Sequence, residues 1–143
     1  MSATFHTIEH TADIGVEVEA AIITELYEGA ALAMFSLMAD ISKVRHSETR
    51  HIVLEASDSV ELMFRWLNEL IYTSDTEGML FSEFSVKLAM LSDGRMALEA
   101  DACGEPFDEA RHSPGEEIKA ATYHEMDVSS LDGRWTARII FDV

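Results

Sequence analysis

The stretch His10-Thr11-Ala12-Asp13-Ile14-Gly15 decides the fold when it is read together with the last two residues, Asp142-Val143. Asp13 stands at the start of an alternating pattern that predicts a strand, and Asp142 closes the last such pattern. If the fold joins these ends, the carboxylates of Asp13, Asp142 and the chain terminus at Val143 meet. Close carboxylates repel one another unless a cation lies among them, so the pattern predicts a metal site. The alternative is a frayed C-terminus with a solvated Asp142.

The ligand types in this pattern bear on which metal would bind. A site made only of oxygen atoms selects Ca²⁺ or Mg²⁺ over zinc. The chain has one cysteine, Cys103, and no two histidines stand at i, i+4 on a predicted helix, so zinc has little support. His10 lies close to Asp13 in sequence and can serve as a general base, although a histidine in a turn more often satisfies backbone groups.

Composition sets further limits on function. The formal net charge is −17, with 27 Asp and Glu against 10 Lys and Arg, which argues against direct binding to a nucleic-acid backbone. It fits a divalent cation, a partner with a basic surface, or solubility alone. A lone cysteine suits a reducing compartment, and no signal-peptide or membrane-spanning pattern is present, so we expect a cytoplasmic protein without membrane contact.

The periodicities predict an α+β fold, with one domain over residues 1–143 built as a mostly antiparallel β-sandwich with two amphipathic helices. Thr24 is predicted to be the N-cap of a first helix that runs through Met38, and Asp58 is predicted to cap the second helix. Two β-hairpins follow, with turns at Asp93-Gly94 and Asp132-Gly133.

Four further residues are candidates for partner contact or for support of the site. Asp58 is one of them, at the position where it is predicted to cap the second helix. His112 follows Arg111 in a polar, irregular segment, which predicts a surface position. Lys119 and Tyr123 share one face of a predicted strand, where Lys119 is a rare cation that can also simply balance a carboxylate. No phosphate-binding loop and no nucleophile motif is present, so the sequence does not indicate an enzyme.

Several stretches together resemble one family, the archeases, and they occur in order over nearly the whole chain. The stretches are residues 10–15, 66–72, 75–78, 104–105, 111–112, 117–124 and 135–143. The resemblance implies an archease-like fold and a metal site, usually Ca²⁺, at Asp13, Asp142 and the Val143 carboxylate. It also implies a non-catalytic partner of the tRNA-splicing RNA ligase, which promotes ligase guanylylation and multiple turnover and broadens nucleotide use.

Two other functions stay open beside this one. The first is a stand-alone metal-dependent phosphodiesterase or hydrolase, with His10 as base and the carboxylates as metal ligands. The second is a chaperone-like modulator of RNA-modifying enzymes, in which the metal is purely structural.

Overall fold

A computed structural model describes residues 3–10 and 13–143, except for the side chains of Glu9 and His10. Within this part there are seven strands and two long helices. The first half contains β1 (Thr4–His10), β2 (Asp13–Ala20), α1 (Ile23–Met38), a 3₁₀ turn (Ile41–Lys43), β3 (Glu48–Ala56) and α2 (Ser59–Glu77). The second half contains β4 (Met79–Met90), β5 (Met96–Pro106), the short α3 (Glu109–His112), β6 (Ala120–Leu131) and β7 (Arg134–Asp142).

The described strands form two sheets in which every pairing is antiparallel. A four-stranded sheet has the order β1-β2-β7-β6, and a three-stranded sheet has the order β3-β5-β4. Each long helix packs against strands of both sheets: α1 against β2 and β4, and α2 against β6 and β3. The helices therefore join the apolar faces of the two sheets, which confirms the predicted α+β class.

The two helices differ in how they begin and what they bury. The first begins at Ile23 and its N-cap is Ile22, which makes no side-chain cap, so the predicted N-cap at Thr24 is wrong by two residues. The second is capped as predicted, since Oδ1 of Asp58 accepts the Glu61 N–H at 2.8 Å. Trp66, at the centre of the second helix, is fully buried and donates to the carbonyl of Tyr27 at 2.9 Å. No helix in the described ranges is long and apolar enough to cross a membrane.

The hairpin turns follow from local chemistry. Asp132 and Gly133 both adopt positive φ, at 52° and 77°, as the turn between β6 and β7 requires. Gly94 has a φ of 88° in the turn between β4 and β5. Positive φ is open to glycine and tolerated by aspartate, so the two Asp-Gly pairs set the turns that the sequence predicts.

Gly104 is a point where β5 passes very close to its neighbour β4. A Cβ atom placed on Gly104 would overlap the carbonyl oxygen of Leu80, which is backbone and cannot move away as a side chain can. This crowding occurs beside the register shift between Phe81 and Glu83 in β4. The absence of a side chain at Gly104 is therefore a packing requirement of the smaller sheet.

We expect Gly104→Ala to lower the free energy of unfolding by about 3 kcal/mol, because the added methyl forces backbone apart in a packed sheet. Urea unfolding followed by circular dichroism measures the change. Ser85→Ala, at an exposed position of β4, is the control and should change stability by less than about 0.5 kcal/mol. Equal stability of the two variants would contradict the packing requirement.

Candidate metal centre and its surroundings

The pairing of β2 with β7 brings the start of β2 next to the end of β7. Their register runs from Ala20 opposite Trp135 to Ile14 opposite Phe141. Continued by one residue, this register sets Asp13 opposite Asp142. Directly opposed residues of an antiparallel pair have Cβ atoms about 4.5–5.5 Å apart, so the two predicted carboxylates are cross-strand neighbours.

Both aspartates lie on the face of the larger sheet that points away from the helices. Phe141 is in the core, so Asp142 alternates to the other face, together with Ile140. A Cβ on Gly15 would lie 2.7 Å from Ile140 and 2.7 Å from Ile8, so Gly15 lies on that same face. Asp13, two residues before Gly15, therefore shares the face of Asp142.

Val143 follows Asp142 and completes this end of the sheet. Its side chain is half-buried and packs against the core, so the last residue is held by the fold. Asp142 is exposed and Asp13 is half-buried. We call Asp13, Asp142 and the terminal carboxylate of Val143 the carboxylate end.

Lys119 reaches the carboxylate end through its backbone. Its N–H donates to the carbonyl of Asp142 at 2.8 Å, and Ala120 pairs with Asp142 at the start of β6. The Lys119 side chain is exposed and makes no ion pair with any carboxylate in the part of the chain that the structure describes. The backbone of Lys119 is therefore next to the carboxylate end, but its ammonium group does not neutralise Asp142. Its predicted role in support or partner contact stays a prediction.

The remaining predicted residues lie elsewhere or outside the described residues. Asp58 caps α2. Tyr123 is 53% exposed and stacks on Phe64 of α2 with ring centroids 3.8 Å apart, so it lies on the helix side of the sheet. The His10 side chain lies outside the described residues, although the backbone of His10 pairs with that of Asp13. Its predicted role as a base stays a prediction.

His112 is not on the surface, and that prediction is wrong. The ring is fully buried and accepts the Asp108 N–H on Nδ1 at 2.8 Å. The proton is therefore on Nε2, which donates to Glu105 at 2.9 Å. The histidine is buried because α3 places its ring against Glu105. The sequence around these two residues gives no indication of this contact.

Glu105 is the acceptor at the centre of this buried group. Its carboxylate receives the Arg45 backbone N–H at 2.8 Å and the Arg111 guanidinium at 2.7 Å, in addition to the His112 ring. The Arg45 N–H first, and then His112 and Arg111, hold the pKa of Glu105 below its usual value. These contacts fix the segment between β5 and β6 and are structural.

Asn68 is a residue that sequence reasoning missed. Its side-chain amide pairs with the backbone of Ala121 like a neighbouring strand, donating to the carbonyl and accepting the N–H, each at 3.0 Å. It thus ties α2 to the start of β6, directly beside Lys119 and Asp142. An asparagine within an apolar helical pattern, two residues after Trp66, is the only signal in the sequence.

The donor set at the carboxylate end suits a hard cation. No group of three or more His, Cys, Asp or Glu side chains arranged to hold a metal occurs in residues 3–8 and 13–143. The predicted site relies on two such side chains, Asp13 and Asp142, with the main-chain carboxylate of Val143 as the third donor. Its chemistry is that of two like charges set opposite each other, which a divalent cation would relieve.

The comparisons with known proteins agree with one another. The model of the Archease protein family (MTH1598/TM1083) matches residues 5–143. A protein archease of Pyrococcus furiosus is 40% identical over 136 residues, covering 94% of this chain and 95% of that protein. A protein archease of Methanopyrus kandleri is 41% identical, covering 95% of this chain and 96% of that one.

Two solved structures share the fold. The solution structure of Methanobacterium thermoautotrophicum protein 1598 superposes with a TM-score of 0.87 at 38% identity, covering 97% of this chain and 98% of that one. The crystal structure of a Thermotoga maritima archease, described as a possible chaperone, has a TM-score of 0.62 at 20% identity over 95% of this chain and 94% of that one. At that identity the second structure supports the fold alone.

We expect Asn68→Ala to lower the free energy of unfolding by about 2 kcal/mol, because the backbone groups of Ala121 lose their partners. Asn68→Asp keeps the acceptor for the Ala121 N–H but sets a carboxylate oxygen against the carbonyls of Phe64 and Ala121, so it should lose at least as much. Urea unfolding of both variants measures the losses. A loss of less than about 0.5 kcal/mol in Asn68→Ala would contradict the role of the amide.

The buried Glu105 also predicts a pH dependence. Because its pKa in the folded protein lies below the usual 4.5, it stabilises the fold above that pH and ceases to do so as the pH falls through the lowered value. Glu105→Gln should therefore melt at a lower temperature than the wild type at neutral pH. The gap should narrow under acid conditions. Melting curves across the acid range test this, and a gap independent of pH would contradict it.

Proposed function

Because the chain belongs to the archease protein family, we propose that it is an accessory protein that activates a tRNA-splicing and RNA-repair ligase. It would promote guanylylation and multiple turnover of the ligase and broaden its nucleotide use, without performing the ligation itself. The observation that carries the proposal is the register of β2 and β7, which sets Asp13 opposite Asp142 at the chain terminus.

The carboxylate end is the proposed working surface. Asp13, Asp142 and the Val143 carboxylate would hold a divalent cation, with Ca²⁺ preferred and Mg²⁺ as the alternative, since all donors are oxygen atoms. When bound, the cation would place positive charge at an otherwise acidic surface. The strand pairing holds the ligands in place before the cation binds, on a paired, half-buried strand end. Binding to such a fixed site does not cost the conformational entropy that ordering a loose tail would cost.

The charge of the chain supports a protein partner with a basic surface. A net charge of −17 attracts such a partner over distance and speeds its encounter, an effect that salt weakens. Ligases that act on RNA ends need cationic groups for phosphate, so their active-site clefts have the complementary sign. The single cysteine, Cys103, is free, which supports a reducing, cytoplasmic location.

We expect Asp13→Ala and Asp142→Ala each to reduce stimulation of the ligase by about tenfold or more, since loss even of an outer-shell group at a metal site costs that much. A guanylylation time course and a multiple-turnover ligation assay with purified ligase measure this. Calorimetric titration with Ca²⁺ should show weakened binding in the same variants. Appending residues to Val143 should act alike, because its carboxylate becomes a neutral peptide carbonyl.

Asp132→Asn provides the matched control. It removes one exposed carboxylate at the far end of the β6–β7 hairpin, and asparagine tolerates the positive φ found there. Stimulation and Ca²⁺ binding should be unchanged in this variant. Full stimulation by both Asp13→Ala and Asp142→Ala would rule out the carboxylate end as the working surface.

The same assays distinguish the two other functions. A stand-alone hydrolase would turn over a simple phosphodiester with Ca²⁺, Mg²⁺ or Mn²⁺ and no partner. A chaperone-like protein, the description given to the Thermotoga maritima archease, would melt at a lower temperature in chelator yet still activate its partner after refolding. The proposal instead requires that chelator removes activation.

A further inference from the structure

A second concave surface lies where the C-terminal ends of α1 and α2 meet the segment between β5 and β6. It encloses about 540 Å³ and is bounded by the end of α2, by α3 and by residues 114–118. We call it the acidic groove. None of the residues predicted from the sequence as site residues lines it.

The floor of the acidic groove is apolar. It is formed by Met38, Met79, Leu80, Phe107 and Ile118. Phe107 is 44% exposed, although its backbone N–H is fixed by the carbonyl of Gly78 at 2.8 Å. An aromatic ring held this way offers contact area with little loss of conformational entropy on binding.

The rim of the groove carries four exposed carboxylates: Asp75, Glu109, Glu116 and Glu117. None of the four forms an ion pair within the described ranges, whereas carboxylates such as Glu17, Glu77 and Glu83 pair with Arg or His side chains. The rim is therefore a concentration of negative charge that the chain itself leaves uncompensated.

The two long helices add to this negative charge. Both direct their C-terminal ends at the groove, through Met38 of α1 and Ser74 to Gly78 of α2. Aligned peptide dipoles leave partial negative charge at a helix C-terminus, and at α1 the N–H groups of Gly115 and Glu116 meet part of it by donating to the Met38 and Leu37 carbonyls at 2.8 Å. Neither α1 nor α2 has a basic residue in its last turn that would offset the remaining charge.

We propose that the acidic groove binds a basic amphipathic segment of a protein partner. An Arg or Lys side chain would lie among the rim carboxylates, and a neighbouring aliphatic side chain would cover Phe107. A second copy of this chain does not fit, because two molecules of charge −17 repel each other. A nucleic acid is excluded by the same sign of charge.

The acidic groove and the carboxylate end are connected through two consecutive residues of the chain. Ile118 lines the groove, and the next residue, Lys119, donates its N–H to the carbonyl of Asp142 at 2.8 Å. Asp13 and Asp142 face away from the helices and the groove lies at the helix ends, so a partner bound at the carboxylate end would reach the groove with an extended segment around the end of the sheet. In this form the inference rests on the proposed function and names a second contact of the same complex.

The first experiment measures binding to the purified ligase in the presence of Ca²⁺. We expect the double variant Glu116→Gln/Glu117→Gln and the single variant Phe107→Ala each to weaken the complex by about tenfold, as for contacts at the centre of an interface. Their calorimetric Ca²⁺ affinity should stay at the wild-type level, which separates the groove from the carboxylate end. Asp132→Asn is the matched control for lost charge, and melting curves verify folding.

The second experiment tests, without the ligase, whether the groove binds a basic amphipathic peptide. A synthetic peptide of alternating Leu and Arg is titrated into isotopically labelled protein, with a Leu-Glu peptide of equal length as control. Amide shifts should be confined to the groove, weaken with salt and be absent for the Leu-Glu peptide. Shifts spread over the outer face of the larger sheet, or none, would overturn the inference.

The two arms fail in different ways. If the wild-type protein does not bind the ligase, the proposed function fails. The peptide titration still shows whether the groove binds a basic segment. If the ligase binds both groove variants as tightly as the wild type, the groove inference fails and the role of the carboxylate end is untouched.

Discussion

The antiparallel pairing of β2 with β7 is the constraint on which the rest of the structure depends. It joins the first part of the chain to the last, places β7 between β2 and β6, and sets Asp13 opposite Asp142. Like charges directly opposed in a sheet are destabilising by up to about 1 kcal/mol, and a well-paired strand can bear this because its inner face, with Ile139 and Phe141, is fully buried. The buried inner face of β7 thus holds the two aspartates opposite each other.

Much of the fold could be predicted because its signals are local. Asp132-Gly133 set a hairpin turn through backbone conformations that few other residues adopt, and Asp58 with Gly78 bounds α2 by capping chemistry. The pairing of β2 with β7 is non-local. The sequence left it as one of two alternatives, because carboxylates at the start of one alternating strand and at the end of another fit either a closed site or a frayed C-terminus. The family match over residues 5–143 confirms the resemblance that those stretches indicated.

What could not be predicted depends on contacts between distant parts of the chain. Glu105 and His112 look like polar loop residues, and only the folded segment shows them buried against each other. In β6 the register shifts between Thr122 and Asp127, an irregularity that the predicted strand did not include. The Asn68 amide takes the place of a neighbouring strand beside Ala121 of β6, and the helical sequence pattern does not indicate this role. In each case the deciding partner is remote in sequence.

The exposed carboxylates fall into two groups: those that form ion pairs within the fold and those that remain available to a partner. Many carboxylates are tied up in exposed ion pairs, such as Arg50 with Glu77 and Arg95 with Glu55, which contribute little to stability. Those on the rim of the acidic groove have no such partner and lie beside helix ends that carry the same sign. A divalent cation bound at the carboxylate end would bring two positive charges, fewer than the four carboxylates on the rim of the groove. The groove would therefore stay negative with the metal in place, and an incoming basic segment would still be attracted to it. Under the two proposals, the groove orients the partner while the carboxylate end meets its active site.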